Sequence, residues 1–218
     1  MIFAYSDLHL FHKNIGFYCN RPKDFTDLII GRHNEVVRDD DTVLNLGDVG
    51  FGPAEQIKAA IKRMKGRHIA LKGNHDKSVK WLMDCGFETV LHEHRQKLTI
   101  RDSEYEVVVI VAARDSDPRA LISEGVAISH EPYGSIKWPY LYGHTHNNPV
   151  PWDYMDRPYP ISVIPGRNVS IELINYMPVP IPFLINDEEW IKKNYRHWYK
   201  RLFNYEGKRK RRDVRRDV

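Results

Sequence analysis

The first third of the chain alternates short apolar segments with segments of helical periodicity, and this alternation constrains the fold more than any other feature. Apolar strands are predicted at 2–5, 42–46 and 69–71. Between them, helices are predicted at 24–37 and from Pro53 to Gly66, each with apolar residues on one face. A β-α-β-α-β succession is typical of a layered α/β domain with parallel strands.

The rest of the chain is predicted to be richer in strand and to end in a helix. Further strands are predicted at 97–100, 106–112, 126–129, 140–142 and 169–174. The segment 132–182 contains ten of the thirteen prolines, so we expect mostly loop there. A last helix is predicted at 187–203, where Asn186 and Glu189 form a capping signature.

Composition indicates a globular protein with one domain. Apolar residues make up 42% of the chain and charged residues 28%, and the longest apolar run, 107–113, is too short to cross a membrane. Two cysteines cannot form a disulfide framework, so we expect reduced thiols in a cytoplasmic protein. The segment 207–218 contains seven basic and two acidic residues. We therefore expect a domain at 1–206 followed by a basic tail.

Five polar motifs each follow a predicted apolar strand, which places their side chains at one rim of an open sheet. They are Asp7-Leu8-His9, Gly47-Asp48, Gly73-Asn74-His75-Asp76, Ser129-His130 and Gly143-His144-Thr145-His146. Two carboxylates, an amide and four imidazoles suit divalent first-row ions better than calcium, and the lack of cysteine disfavours a finger-type zinc site. Taken singly, residues such as Asp7 and Asn74 are more often turn or helix caps. Together they favour two metal sites that share one bridging carboxylate.

The order of these motifs resembles the calcineurin-like metallophosphoesterase superfamily, in particular a small bacterial and phage-type branch. The pattern D-x-H, GD, GNH-D, a lone H and G-H-x-H covers residues 7–146, and 168–180 resembles the C-terminal end of that branch. The resemblance implies a layered α-β-β-α sandwich of two mixed β-sheets flanked by helices.

The resemblance also implies which residues bind metal. Asp48 bridges two divalent ions, of which the first is bound by Asp7, His9 and His146 and the second by Asn74, His130 and His144. Manganese is favoured, and iron, nickel, cobalt, zinc or magnesium also suit such ligands.

The implied reaction is attack on phosphorus by a hydroxide that bridges the two ions. His75 is expected to assist the leaving group, oriented by Asp76. His12 and Arg21 are candidate substrate contacts, although an ordinary surface charge is the alternative for Arg21. The segment 92–94, His-Glu-His, also has the H-x-H spacing, but no glycine precedes it and a solvated strand or turn is favoured.

The sequence thus predicts a metal-dependent phosphoesterase, with phosphodiesters of the nucleotide or nucleic-acid type as favoured substrates and no membrane partner. A Ser/Thr protein phosphatase is disfavoured because the segment 47–52, Gly-Asp-Val-Gly-Phe-Gly, lacks the second Asp and the Arg of that group. The alternative hypothesis is a non-catalytic, metal-containing module that binds nucleic acid through the basic tail.

Overall fold

The computed structural model describes residues 1–102, 105–112, 125–132, 139–147, 166–185, 187 and 189. Within these residues the chain forms two five-stranded sheets and five helices. The helices are α1 (Ile15–Cys19), α2 (Phe25–Val36), α3 (Ala54–Ile61), α4 (Val79–Asp84) and α5 (Ile181–Leu184).

The first sheet is mixed and mostly parallel. Its strands are β1 (Ile2–Tyr5), β2 (Thr42–Asn45), β3 (Arg67–Leu71), β4 (Thr89–Leu91) and β10 (Val179–Pro180). Their order is β10-β1-β2-β3-β4, and only β10 runs antiparallel to its neighbour. The carboxyl ends of β1 to β4 therefore meet at one edge.

The second sheet is also mixed. Its strands are β5 (Lys97–Arg101), β6 (Glu106–Val111), β7 (Val126–Ile128), β8 (Tyr140–Tyr142) and β9 (Arg167–Asn168), in that order. Strand β5 is antiparallel to β6, whereas β6 to β9 are parallel. The prediction of an α/β fold with two mixed sheets and helices is confirmed at this level.

Alternation along the strands produces the layers, because successive side chains point to opposite faces of a sheet. Ile2 and Leu44 of the first sheet share one buried cluster with Val109 of the second, so this cluster is the interface between the sheets. The intervening residues, such as Phe3 and Val43, belong to a second cluster that includes apolar residues of α2, α3 and α4. These helices cover the outer face of the first sheet.

The strand predicted at 169–174 is wrong. Strand β9 ends at Asn168, Ser170 forms only an isolated bridge to Ser6, and residues 171–176 form turns. Asn175 and Tyr176 have φ angles of 57° and 59°, which an extended strand cannot contain. Val169 and Ile171 are buried because the segment begins between the two sheets, where the N–H of Val169 donates to Tyr142 and its C=O accepts from Ser6, whereas Leu173 is exposed.

Most other predictions match the structure in type, with bounds that differ by one or two residues, but the helix predicted from Pro53 to Gly66 ends at Ile61 and is followed by turns, and β9 was not predicted. Helices α1, α4 and α5 and strands β4 and β10 are additional short elements. Apart from residues 187 and 189, the predicted helix at 187–203 lies outside the described residues, as do the basic segment 207–218 and much of the proline-rich segment. No helix in the described part of the chain has both the length and the apolar character needed to cross a bilayer.

Candidate metal centre

The seven predicted ligands lie together beyond the carboxyl ends of five strands. Strands β1, β2 and β3 of the first sheet lead into the first three motifs, and β7 and β8 of the second sheet lead into the last two. The site is therefore formed where the carboxyl edges of the two sheets approach each other, as expected for ligand sites in α/β proteins.

One group of donor atoms centres on Asp7. Its Oδ1 lies 3.9 Å from His9 Nε2 and 3.7 Å from His146 Nε2. His9 Nε2 in turn lies 3.5 Å from Asp48 Oδ2. Asp7, His9 and His146 direct their donors into one small space and could hold a cation there. Asp48 Oδ2 lies beside this space, next to His9.

A second group lies on the other side of Asp48. Its Oδ2 is 3.2 Å from His130 Nε2, which is 2.8 Å from Asn74 Oδ1. His144 Nδ1 lies 3.2 Å from Asn74 Oδ1 and also 3.2 Å from His130 Nε2. Four donors therefore also converge here and could hold a second cation.

One oxygen atom, Asp48 Oδ2, belongs to both groups. The other carboxylate oxygen, Oδ1, accepts a hydrogen bond of 2.9 Å from the backbone N–H of His75. This contact fixes the carboxylate so that Oδ2 faces His9 on one side and His130 on the other. A carboxylate oxygen in this position could contact a cation on either side.

The first group contains buried polar atoms that protein groups do not satisfy. Within the described residues, Asp7 Oδ1 and both ring nitrogens of His9 are buried and have no hydrogen-bond partner. Such atoms cost free energy and require an explanation. Because a carboxylate oxygen and an unprotonated imidazole nitrogen are electron-pair donors, a divalent cation between them fits the donor set.

Backbone strain is concentrated at the same residues. Five of the seven have positive φ angles, between 44° and 68°: Asp7, His9, Asp48, His144 and His146. Residues other than glycine rarely adopt this region, and such outliers cluster at functional sites.

The motif glycines provide room for the ligand side chains. A Cβ atom on Gly143 would collide with the carboxylate of Asp7, and one on Gly73 would collide with that of Asp48. A Cβ atom on Gly47 would meet the His130 ring. These close approaches explain why glycine stands before a ligand in three of the five motifs.

Asp76 holds two of the motif loops together. Its carboxylate accepts hydrogen bonds from the backbone N–H groups of Gly73 (2.9 Å), Asp48 (3.0 Å) and Val49 (3.0 Å). Asp76 was expected to orient the His75 ring. In the structure its carboxylate instead positions the backbone that carries Asp48 and Asn74.

Burial and the neighbouring charges shift the ligand pKa values in opposite directions. Burial alone favours neutral Asp48, but His130 and His9 outweigh it and hold the pKa of Asp48 well below its usual range. Burial lowers the pKa of His130, yet the Asp48 carboxylate raises it to about 9. A cation bound at these donor atoms would therefore compete with protons.

Two histidines lie at the rim of the first group. The exposed His75 ring has its centroid 5.6 Å from that of His9 and 5.4 Å from that of Phe51. The His12 ring lies 4.1 Å from Phe51 and 5.6 Å from His9. Both predicted substrate-facing histidines are thus adjacent to the candidate centre.

Arg21 lies underneath the site, in contrast to the expected substrate contact. Its buried guanidinium donates hydrogen bonds of 2.6 Å to the carbonyl oxygens of both Asp7 and Leu8, and one of 2.7 Å to Glu172 Oε1. These bonds occupy its donors beneath the loop that carries Asp7. Its position is that of a residue that supports the ligand loop.

Glu172 was not identified from the sequence. Its Oε1 lies 3.1 Å from His146 Nδ1, so it orients the ring whose Nε2 faces Asp7. Burial lowers the pKa of His146, but hydrogen bonds to Cys19 and Glu172 outweigh it and raise the value to about 10. The sequence feature that could have indicated Glu172 is a carboxylate next to apolar residues, Val169 and Ile171, which are buried in the structure. It lies in the segment 168–180, which resembles the C-terminal end of the phage-type branch.

Cys19, His146 and Glu172 form a third cluster of atoms that could ligate a metal. The guanidinium of Arg21 pairs with Glu172 in this cluster, and its positive charge opposes cation binding there. We therefore assign these residues to the support of the first group.

Comparisons with known proteins identify relatives without an assigned function. No protein-family model matches the chain. The chain is 28% identical over 193 residues to the uncharacterized protein MJ1445 of Methanocaldococcus jannaschii, with 84% of this chain and 89% of that protein covered. The fold is similar to that of the protein of unknown function AQ665 from Aquifex aeolicus, with a TM-score of 0.52 and 21% identity. That match covers 82% of this chain and 94% of the solved chain.

The position of Arg21 predicts a large stability effect. Arg21→Met leaves the buried Glu172 carboxylate and two carbonyl oxygens without their donor, so we expect a loss of about 3–5 kcal/mol in the free energy of unfolding. Urea denaturation followed by circular dichroism measures it. The matched control is Arg63→Met, which removes an exposed pair with Asp27 and should cost about 1 kcal/mol or less. Equal effects of the two substitutions would refute the supporting role.

Proposed function

We propose that this protein is a phosphoesterase that binds two divalent cations and has the calcineurin-like metallophosphoesterase fold. The observation that carries the proposal is that Asp48 Oδ2 faces two separate groups of donors. Sites with two metals about 3.5–4 Å apart are common in phosphatases and nucleases. The two mixed sheets and the strand-end position of every ligand support the same assignment.

The donor set supports a particular range of cations. Each group combines carboxylate or amide oxygen with two imidazoles, a mixture that manganese, iron, cobalt, nickel and zinc accept. We favour manganese, since the oxygen share is high and no thiolate belongs to either group. The unsatisfied Asp7 Oδ1 and His9 Nε2 are the atoms that such a cation would satisfy first.

Charge explains how an anionic substrate would be attracted. When bound, two divalent cations supply a water molecule of near-neutral pKa and a positive field next to the phosphoryl oxygens. Asp7 and Asp48 neutralise only part of the cation charge, so the site remains positive. Electrostatic stabilisation of this kind is usually the largest contribution to catalysis.

His75 has the position required for proton transfer to the leaving group. Its backbone N–H is held by Asp48 Oδ1, while its ring is exposed at the rim near His9. In the proposed reaction the ring donates a hydrogen bond or a proton to the leaving oxygen of the ester. We favour phosphodiesters of the nucleotide type as substrates.

The first test concerns the bridging carboxylate. With manganese added, the wild-type chain should bind two ions, measured by mass spectrometry of the metals, and should hydrolyse bis-p-nitrophenyl phosphate. Asp48→Asn should lower both metal content and kcat/KM. We expect kcat/KM to fall by more than about 100-fold, because loss of a residue that only hydrogen-bonds a metal ligand costs up to about that much.

The matched control for this test is Asp27→Asn, which changes an exposed carboxylate and should alter neither quantity. Two bound ions without hydrolysis in the wild type would favour the non-catalytic alternative. Full activity and full metal content in Asp48→Asn would refute the bridging role.

The second test separates His75 from the ligands. His75→Asn should retain the metals and reduce kcat by about 10²–10⁴-fold, the usual contribution of general acid–base catalysis. The reduction should be larger for a phenyl ester than for a p-nitrophenyl ester, because phenolate is the poorer leaving group. Loss of metal in parallel with activity, or an equal loss for both esters, would contradict the assignment.

The third test concerns the support of His146. Glu172→Gln preserves the shape but removes the charge next to Nδ1, so we expect manganese affinity to fall by about 10–100-fold. Titration calorimetry with manganese measures it. Since Arg21 would still hydrogen-bond an amide oxygen, the fold should persist in circular dichroism. Unchanged affinity would mean that Glu172 serves only Arg21.

A further inference from the structure

A cleft of about 300 Å³ extends from the second donor group, on the side of Asn74 and His130. Its walls come from both sheets, because residues that follow or end β3, β4, β6 and β7 all line it. The cleft therefore continues the same strand-end edge that carries the candidate metal centre.

The His-Glu-His segment at 92–94 lies at this cleft. It follows β4, the parallel neighbour of β3, so it is beside the loop that carries Asn74. The backbone N–H of Lys72 donates to Leu91 at 2.8 Å, which fixes the register of the two loops. His92 and His94 consequently face the same space as Asn74.

The turn that carries these histidines is anchored at several points. The backbone N–H groups of His92 and Glu93 both donate to Gln96 Oε1, at 2.9 and 3.2 Å. Arg95 N–H donates to the carbonyl oxygen of Val111 at 2.9 Å, which ties the turn to β6. Arg95 adopts a φ of 63°, a backbone conformation that costs free energy for a residue other than glycine. The hydrogen bonds that anchor the turn hold it in this conformation.

The lining of the cleft offers hydrogen-bond donors to an anion. Lys72, His92 and His94 supply an ammonium group and two imidazoles, and Glu131 is the acidic residue among the described lining residues. His92 Nε2 lies 3.6 Å from the exposed carboxylate of Glu93, which an incoming phosphate would displace. Lys72 Nζ donates to the carbonyl oxygen of Gly73 at 3.0 Å, which holds the ammonium group next to Asn74. The floor is apolar, formed by Leu71, Val111 and Ala112. Donors above an apolar floor suit a phosphate attached to an organic group.

We propose that this cleft binds a second phosphate of the substrate, so that the preferred substrates are small esters that carry two phosphate groups, such as nucleoside bisphosphate esters. The inference rests on the proposed function of the adjacent centre, where the scissile phosphate binds. Lys72 and His92 contact the second phosphate, with His94 as a further donor. The substrate then spans from the rim near His75 to this cleft.

The test compares two chromogenic substrates that differ by one phosphate: the p-nitrophenyl ester of thymidine 5′-phosphate, with and without a 3′-phosphate. In the manganese-loaded wild type, kcat/KM should be at least about 10-fold higher for the 3′-phosphorylated substrate, as expected for charged hydrogen bonds. The variants Lys72→Met and His92→Asn should each reduce this ratio, mainly through KM, and the double variant should bring it near one. Lys62→Met, an exposed lysine at the end of α3, is the control and should preserve the ratio.

The outcomes separate the two proposals. If both substrates are hydrolysed at equal rates, or if the double variant retains the preference, the second-phosphate site is refuted while the phosphoesterase remains. If neither of them nor bis-p-nitrophenyl phosphate is hydrolysed, the proposed function fails, and calorimetry with thymidine 3′,5′-bisphosphate then tests whether the cleft binds a second phosphate. Binding that is tighter than that of thymidine 5′-phosphate and weakened by Lys72→Met supports the site, and equal binding of the two nucleotides overturns it.

Discussion

The buried carboxylate of Asp48 is the interaction on which the geometry of the site depends. Burying a charge is costly unless it has partners, and each part of Asp48 has one. Its backbone N–H donates to Asp76, its Oδ1 accepts from the N–H of His75, and its Oδ2 faces His9 and His130. His130 follows a strand of the second sheet and the other partners follow strands of the first, so this side chain joins the carboxyl edges of the two sheets, together with the bond from the N–H of His144 to Asp7.

The convergence of ligands requires backbone that strands and helices cannot supply. Five ligands have left-handed φ angles, and three glycines leave the space into which ligand side chains project. Each such position costs free energy and persists only where the surrounding structure enforces it. Here the enforcement is visible: Asp76 clamps the loops after β2 and β3, and Arg21 clamps the loop after β1 from below. These hydrogen bonds thus maintain a site that local backbone preferences disfavour.

The seven donors could be predicted because their motifs follow apolar strands, and parallel strands bring their carboxyl ends to one edge. The supporting residues could not be predicted in this way. Arg21 and Glu172 are 151 positions apart and are brought together only by the fold. The sequence does not distinguish a buried arginine from one on the surface. The same limit explains the segment 169–174, where the burial of Val169 and Ile171 between the two sheets resembles strand alternation. Strand β4 has only three residues, too few to show a periodic pattern. The sequence therefore could not predict that His92 lies beside the loop that carries Asn74.

The two donor groups differ in their surroundings, and this asymmetry bears on how a substrate would lie. The first group is backed by the Arg21–Glu172 pair and faces the rings of Phe51, His12 and His75, whereas the second opens into the cleft beside His92. In the proposed reaction the proton donor therefore lies at one end of the centre and the cleft beside Lys72 and His92 at the other. A leaving group directed toward His75 places the retained part of the ester over the second group. Selectivity then depends on the loop after β4, and bond cleavage depends on the loops after β1, β2, β3, β7 and β8, which carry His75 and the seven predicted ligands.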